Sequence, residues 1–182
     1  MLMLLAGRRF TGDGNLEVTA TRSDSMAEDK PVPDDEWETV VRNVPLVSVD
    51  LVVETDDGVV LGKRENEPAK GEWFVPGGTV QKHEQLTDAV HRIAADELGI
   101  PVTIERQLGV YEHFYDVADV EEAGGKHYVP IGYHVRPAGE ETLQPDDQHS
   151  ELDVFANPFE ELALHPYVEA YLVDAGILPA NA

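Results

Sequence analysis

The sequence predicts one layered domain of the α/β (α+β) class, because strand patterns and helix patterns follow one another along the chain. Apolar and polar residues alternate at 47–52. An Asp-Asp-Gly turn at 56–58 then leads into a second strand pattern at 59–64, so these segments predict a β-hairpin. Apolar side chains recur at helical spacing in residues 85–98, and Gly99 follows them as a stop signal. An amphipathic helix is therefore expected behind the hairpin.

The other expected elements follow from the same patterns of apolar spacing and turn residues. They continue the order of strands, helix, strands, helix, which favours a layered fold. They are a short extended segment at 73–75 that ends at Pro76-Gly77-Gly78, strands at 102–115 and 127–135, a short strand at 152–155, and a closing helix at 167–174 before Gly176.

The composition of the chain changes near Met26. Residues 1–25 contain three basic and three acidic residues, whereas the other 157 residues contain 10 basic and 33 acidic ones. A stretch rich in Pro and Asp follows Met26. We therefore expect residues 1–36 to be a disordered leader, with Met26 as an alternative start, and residues 37–178 to form the folded domain.

The charge of the chain is strongly acidic, with 13 Lys and Arg against 36 Asp and Glu and a formal net charge of −23. Such a chain repels nucleic-acid backbones, so we expect no nucleic-acid partner. An acidic, lysine-poor surface is also typical of proteins adapted to high salt. The absence of cysteine excludes disulfides, thiolate catalysis and Cys-based zinc sites. No apolar run is long enough for a transmembrane helix, so we expect no membrane partner and a cytoplasmic location.

The segment at 77–100 carries the clearest chemical pattern, Gly78-x5-Glu84-x7-Arg92 followed by Asp96-Glu97-Leu98-Gly99-Ile100. Glycines let backbone oxygens approach an ion closely, and the helix behind them carries acids. Helical spacing places Ile93, Asp96 and Glu97 on one side and lets Arg92 pair with Asp96. Oxygen ligands of this kind suit a hard cation such as Mg²⁺, which takes further ligands from phosphates.

This segment resembles the Nudix box, G-x5-E-x7-R-E-U-x-E-E-x-G-U, where U is aliphatic. The resemblance implies the Nudix fold, a mixed β-sheet sandwiched between helices, and a hydrolase that uses Mg²⁺, with Mn²⁺ as a substitute. Two positions depart from the box, since Ile93 stands for an acid and Asp96 for a glutamate. Loss of an acid should weaken attack of water on phosphorus. The matching positions are Gly78, Glu84, Arg92, Glu97, Gly99 and Ile100.

Segments outside the box are similar to the GDP-mannose mannosyl hydrolase branch of the family, which lacks the same acid and attacks the sugar carbon. This similarity runs from about Trp37 to Tyr171. It implies a nucleotide-sugar substrate, a single Mg²⁺ and a homodimer. The segments that carry it are PLVSVD (45–50), LGKR (61–64), WFVPGG (73–78), VQK (80–82), EHFYD (112–116), HYV (127–129) and PDDQH (145–149).

The branch also implies roles for individual residues. The metal ligands would be the main-chain oxygen of Gly77, the Glu97 carboxylate and the Gln148 side chain. His149 would be the general base, because an imidazole titrates near neutral pH. The other implied roles are charge stabilisation on the diphosphate for Arg64, lining of the sugar and phosphate site for Asp50, His113 and Tyr128, and stacking on the base for Trp37.

One departure within the branch concerns Thr79, which stands where the branch has an arginine that contacts the diphosphate. Its loss removes a bidentate anion clamp, and Lys126, Lys82 or Lys63 could compensate. Two other functions therefore stay open. One is a conventional Nudix pyrophosphohydrolase that cleaves the P–O–P link, and the other is a non-catalytic nucleotide-sugar binding or regulatory domain.

Overall fold

The computed structural model describes residues 32–118, 120, 123–139, 149–157, 159 and 162–180. The predictions for residues 1–31 and for Gln148 fall outside these residues. Among the described residues, eight strands form one sheet and three helices accompany it. The helices are α1 (Asp34–Asn43), α2 (Leu86–Leu98) and α3 (Pro166–Ala175). The strands are β1 (Leu46–Thr55), β2 (Gly58–Arg64), β3 (Trp73–Phe74), β4 (Gly77–Thr79), β5 (Val102–Val110), β6 (His113–Tyr115), β7 (Lys126–Pro137) and β8 (His149–Phe155).

The sheet is mixed, as the predicted fold requires. Its main path runs β3-β2-β1-β7-β5, while β4 pairs with β1, β6 with β7 and β8 with β2. The long central strands β1 and β7 are parallel, and the other pairings are antiparallel. The short strands β4 and β6 thus attach to the two central ones, and they bring the loops after β3 and β5 to the same end of β1 and β7.

The two faces of the sheet contact different helices. Successive side chains of a strand point to opposite faces. Val49, Leu51 and Val53 of β1 therefore pack in the core beneath α2, while Val52 packs with α3. Asp50 shares the α3 face with Val52, since it lies two residues away. The sheet is sandwiched between helices, and this confirms the predicted fold class.

Helix α2 forms where the apolar spacing predicts it. Its apolar face is buried apart from the partly exposed Leu86, and Gly99 ends the helix in the left-handed conformation at φ 67°. A glycine adopts this conformation without the steric cost that a side chain imposes. Within the described part of the chain, no helix is long and apolar enough to cross a membrane. The buried residues of the face are Ala89, Val90, Ile93, Ala94, Glu97 and Leu98.

The prediction of one continuous strand at 102–115 is wrong. The structure interrupts it at residues 111 and 112, which separate β5 from β6, where Tyr111 donates to the Pro130 carbonyl but Pro130 has no N–H to donate in return. The pairing of β5 with β7 is already irregular at two places before this break. Strand β6 then continues in the register that β5 has at its end, so that Val110 lies opposite Ile131 and His113 lies opposite Tyr128.

Helix α1 begins at Asp34, three residues before the expected start of the domain at Trp37. It carries Trp37 in its first turns and ends at Asn43, immediately before β1. A compact unit extends from Pro31 to Ala182.

Candidate active site

Gly77 lies where two acidic side chains approach one backbone segment. In the register of β4 on β1, Gly77 is opposite Asp50. A Cβ at Gly77 would lie 2.4 Å from Asp50 Oδ1, so the position requires glycine. From the other side, the Gly77 N–H donates to Glu97 Oε2 over 2.9 Å. The loop that starts the box thus holds the carboxylates of Asp50 and Glu97 next to the same residue.

Helix α2 turns one of its box acids inward. Glu97 is 3% exposed. Ile93, one turn earlier, is 1% exposed, and its Cγ1 would lie 3.2 Å from a Cβ at Gly78. The Asp96 side chain is 63% exposed and pairs with Arg92 at 3.6 Å. The expected Arg92–Asp96 pair is confirmed. The expectation that Asp96 shares the side of Ile93 and Glu97 is wrong, since adjacent helical residues point about 100° apart.

Glu84 has the structural role that its place before the helix suggests. Arg92 donates to both oxygens of its carboxylate, over 2.6 and 2.9 Å, and also to the Thr79 carbonyl over 3.0 Å. The Gln81 N–H adds a further bond to Glu84. The hydrogen bonds from Arg92 hold the pKa of Glu84 below its usual value. Thr79 contributes its carbonyl to this network, while its residue surface is exposed.

The oxygen atoms around Gly77 fit a hard cation that takes few ligands from the protein. The donors expected among the described residues are the Glu97 carboxylate, which lies beside Gly77, and the Gly77 main-chain oxygen, and such oxygen atoms suit Mg²⁺ better than a softer metal. The described residues contain no group of three or more His, Cys, Asp and Glu that could hold a metal. A hard cation held by few protein ligands takes its remaining oxygen ligands from substrate phosphates and water. Gln148, the third expected ligand, lies outside the described residues.

Asp50 takes part in a buried polar cluster on the α3 face of the sheet. It is 8% exposed, and Tyr171 donates a 2.7 Å hydrogen bond to its Oδ2. The Tyr171 oxygen also lies 3.3 Å from Nε2 of His113, which is 3% exposed. Burial raises the pKa of Asp50 to about 6, although the Tyr171 bond and the positive charge of Arg64 oppose the shift. Burial, with the charge of His165, lowers the pKa of His113 to about 4.

Aromatic rings connect this cluster to Tyr128. Tyr167 stacks on His113 with ring centroids 3.9 Å apart and planes within 8°. The Tyr115 ring lies 6.3 Å from the His113 ring and 6.3 Å from the Tyr128 ring. Burial raises the pKa of Tyr115 above its usual value, so its hydroxyl stays neutral. Together, Asp50, His113 and Tyr128 lie along one polar and aromatic wall.

Arg64 is the cation that faces this wall. Its Nε donates to the Pro68 carbonyl over 2.8 Å, and its guanidinium lies 5.8 Å from the Phe74 ring. Its positive charge acts on both Asp50 and Tyr115. The end of β8 pairs with the end of β2 so that His149 is opposite Arg64 in the backbone register. Of His149, the structure describes the backbone, and its side chain lies outside the described atoms.

Trp37 and Tyr128 meet at a buried lysine. Lys126 is 6% exposed, and its Nζ lies 5.8 Å from the Trp37 ring and 5.6 Å from the Tyr128 ring. Of the other two lysines considered for the role of the missing arginine, Lys63 pairs with Glu151 at 3.6 Å and Lys82 is exposed. Lys126 is therefore the one of the three that is built into the aromatic wall.

Tyr171, Tyr167 and Tyr115 complete the wall, although the sequence patterns did not identify them as site residues. Tyr167 and Tyr171 are four residues apart, so they lie on the same side of α3. Two tyrosines at this spacing in an apolar helix are a signal for buried hydroxyl groups that need partners.

Comparisons with known proteins agree with this geometry. A profile of the NUDIX domain matches residues 44–174. The low-salt glycan biosynthesis protein Agl8 of Haloferax volcanii is 59% identical over 147 residues, which are 79% of this chain and 92% of that protein. The ADP-ribose pyrophosphatase of Methanocaldococcus jannaschii is 40% identical over 67 residues, which are 37% of this chain and 40% of that protein.

A solved structure agrees as well. The crystal structure of a MutT NUDIX hydrolase from Burkholderia pseudomallei superimposes with a TM-score of 0.58 at 28% identity, and covers 72% of this chain and 98% of that one. Members of this family typically use a divalent metal, and the oxygen donors around Gly77 suit one. The profile match over most of the chain, the 59% identical relative and the common fold show that this chain belongs to the Nudix hydrolase family.

Proposed function

We propose that this protein hydrolyses a nucleoside diphosphate sugar, of the GDP-mannose or GDP-glucose type, to nucleoside diphosphate and free sugar. Water would attack the anomeric carbon. The observation that carries the proposal is the inner face of α2. Of the acids of the Nudix box on this helix, Glu97 is the one that points to Gly77. The buried Ile93 stands at the position where the box has a further glutamate. Attack on phosphorus by a multi-metal site needs several acids as ligands. A helix that offers a single carboxylate fits better a mechanism with one cation at the diphosphate.

The reaction balances with one base. A water oxygen forms a bond to the anomeric carbon as the bond from that carbon to the diphosphate oxygen breaks, and the electron pair stays on the diphosphate. His149 takes the proton of the water. When bound, Mg²⁺ or Mn²⁺ neutralises charge on the diphosphate and makes it a better leaving group. Arg64 stabilises the same developing charge. Attack from the opposite face inverts the anomeric centre.

The other wall residues bind the two ends of the substrate. Asp50 and His113 offer hydrogen bonds to sugar hydroxyls, and Tyr128 contributes at the phosphate side. Trp37 offers an aromatic face on which a nucleobase stacks. Lys126 lies against the rings of Trp37 and Tyr128. Its charge supports diphosphate binding in place of the branch arginine, whose position Thr79 occupies. The similarity to a glycan biosynthesis protein also supports a nucleotide sugar, because glycan assembly consumes activated sugars.

Product analysis in labelled water tests the proposal. GDP-mannose is incubated with the protein and Mg²⁺ in high salt and ¹⁸O-water, and the products are analysed by mass spectrometry. We expect the label in the sugar and an intact nucleoside diphosphate. Label in phosphate, or GMP with mannose phosphate as products, would contradict attack at carbon. Parallel reactions with GDP-glucose and other nucleotide sugars identify the preferred substrate.

A second candidate is conventional pyrophosphohydrolysis, which the similarity to an ADP-ribose pyrophosphatase favours. It predicts cleavage of the P–O–P link and label in phosphate. A third candidate, a non-catalytic nucleotide-sugar binding domain, predicts tight binding in calorimetry without turnover of any substrate or metal combination. The same labelled reactions, with calorimetry, therefore separate all three.

The base is tested by His149→Gln. We expect a large loss of kcat with little change in KM, because the variant can hydrogen-bond to water but cannot take its proton. The matched control is His91→Gln, on the exposed side of α2. An unchanged kcat in His149→Gln would remove His149 from the mechanism.

We also propose a homodimer, which light scattering in high salt tests.

A further inference from the structure

The buried hydroxyl of Tyr171 joins two residues of the wall that are far apart in the sequence. Tyr171 itself is 0% exposed. Its oxygen lies 2.7 Å from Asp50 Oδ2 and 3.3 Å from His113 Nε2. It belongs to α3, whereas Asp50 belongs to β1 and His113 to β6. One hydroxyl group therefore links three elements at the place where they meet.

The surroundings of the Tyr171 ring hold this hydroxyl in place. A Cβ at Gly132 would lie 3.1 Å from Tyr171 Cε1, so glycine lets the ring lie directly on β7. Tyr111 packs edge-on against the ring with centroids 4.4 Å apart. Asp50 is held equally well, since its other oxygen, Oδ1, lies against Gly77. Neither partner can move away without breaking close packing.

The donors and acceptors of this cluster can be assigned by counting protons. Burial and the negative charge of Asp50 raise the pKa of Tyr171 far above its usual range, so the phenol keeps its proton. A phenol has one proton to donate, and the shorter contact directs it to the Asp50 carboxylate. The Tyr171 oxygen then accepts a hydrogen bond from Nε2–H of His113. In a neutral imidazole, a proton on Nε2 leaves Nδ1 as an acceptor.

We propose that Tyr171 is a positioning residue that orients the Asp50 carboxylate and holds His113 as the Nε2–H tautomer. Asp50 and His113 then present acceptor atoms, Oδ1 and Nδ1, for hydroxyl groups of the substrate. That these hydroxyls belong to a sugar rests on the proposed function. The arrangement of the three side chains does not depend on it.

The tautomer is measured without substrate. Protein labelled with ¹⁵N-histidine is studied at pH 8 in high salt by long-range ¹H–¹⁵N NMR, and the His113 signals are assigned by their loss in His113→Gln. We expect Nε2 to carry the proton in the wild-type protein. A wild-type His113 that is protonated on Nδ1, or that exchanges evenly between tautomers, overturns the proposal. Because neutral histidine favours Nε2–H even without a partner, Tyr171→Phe is measured in the same way, and we expect a larger Nδ1–H fraction at His113. An unchanged tautomer ratio in Tyr171→Phe also overturns the proposal.

Kinetics test the positioning role directly. We expect Tyr171→Phe to lower kcat by about 10–100-fold, because removal of a group that orients site residues typically has an effect of this size. The matched control is Tyr133→Phe, which removes a tyrosine hydroxyl on the opposite face of the sheet, in the core beneath α2. We expect kcat of the control to change by less than about twofold. Equal effects of the two variants on kcat contradict a positioning role.

Failure of this inference is distinct from failure of the proposed function. Label in phosphate together with an Nε2–H His113 would refute attack at carbon and leave the Tyr171 assignment standing. Label in sugar together with an Nδ1–H His113 would refute the Tyr171 assignment alone. The thermal unfolding midpoints of both tyrosine variants are compared with that of the wild-type protein. This comparison shows whether a variant loses kcat because it unfolds.

Discussion

Glu97 and Asp96 are neighbours in the sequence, but their surroundings differ. Glu97 accepts the Gly77 N–H and is 3% exposed, whereas the Asp96 side chain is 63% exposed and pairs with Arg92 at the surface. A carboxylate that is buried beside backbone donors keeps a fixed orientation, while a surface carboxylate does not. Of these two acids, Glu97 is therefore the one that lies beside the glycine loop, and we propose it as the metal ligand of this helix.

The first prediction concerns this difference. Glu97→Gln keeps a carbonyl oxygen for the Gly77 N–H but removes the negative charge, so we expect kcat to fall by about 100-fold or more. The Mg²⁺ concentration at half-maximal rate should rise. Asp96→Asn is the matched control, and its kcat should stay within about twofold of the wild-type value. Equal kcat values for the two variants would show that Glu97 is not a metal ligand.

At the scale of elements, α2 depends on its buried face and on the clamp at its start. Ile93 fills space between the sheet and the glycine loop, because it packs in the core and also against Gly78. Arg92 binds both Glu84 and the Thr79 carbonyl. The helix is therefore attached to the loop by an apolar contact and by an ionic one.

The second prediction tests the apolar contact. Ile93→Ala should lower the free energy of unfolding by about 2–5 kcal/mol, because it removes buried methyl groups and leaves a cavity. Denaturant titration in high salt measures the loss. Thr87→Ala, on the exposed side of the same helix, should change the free energy by less than about 0.5 kcal/mol. A loss of similar size in both variants would show that Ile93 is not part of a close-packed core.

The third prediction tests the ionic clamp and its pH dependence. Arg92→Met should lower the free energy of unfolding at pH 7 by about 1–2 kcal/mol. Because Arg92 lowers the pKa of Glu84 in the folded protein, the clamp stabilises it above the unfolded pKa, and this contribution disappears as pH falls through the folded pKa. The difference between variant and wild type should therefore shrink at pH 3.5. If the stability difference between Arg92→Met and the wild-type protein is constant with pH, the Arg92–Glu84 pair is not its source.

At the scale of the whole molecule, a net charge of −23 acts against the compact state. The folded chain concentrates acids that are separated in the unfolded chain. Added salt shortens the distance over which they repel, from about 10 Å at 0.1 M to about 3 Å at 1 M. We therefore expect the stability of the fold to depend on the ionic strength of the solution as well as on its core.

The fourth prediction follows from this charge. The unfolding temperature should rise by about 5 °C or more between 0.1 and 2 M KCl, since screening removes repulsion from the folded state. Calorimetry or circular dichroism measures the change. Sucrose at matched osmolality should not reproduce most of the rise. An unfolding temperature that is insensitive to KCl would show that the acidic surface does not limit stability.

Local sequence determined the elements and the box. Apolar spacing specified α2 to within one residue, and Gly99 specified its end, because both depend on neighbours within one helical turn. The resemblance to the mannosyl hydrolase branch named both Gly77 and Glu97 as metal ligands, and the structure joins the Gly77 N–H to the Glu97 carboxylate by a hydrogen bond. The sequence overestimated one strand, since the interruption at 111–112 depends on the pairing with Pro130 of β7, which no pattern within residues 102–115 records.

Tertiary structure alone decided which side chains share the wall. Tyr171 reaches Asp50 across 121 residues of chain, and it reaches His113 across 58. No periodic pattern relates such distant positions, because the contact depends on the register of β1, β6 and β7 and on where α3 packs. The exposure of Asp96 is also a tertiary result, since it depends on which face of α2 the sheet covers. The sequence by itself determined the Nudix box and the replacement of one of its acids by Ile93. Tertiary packing decided which side chains lie around the box.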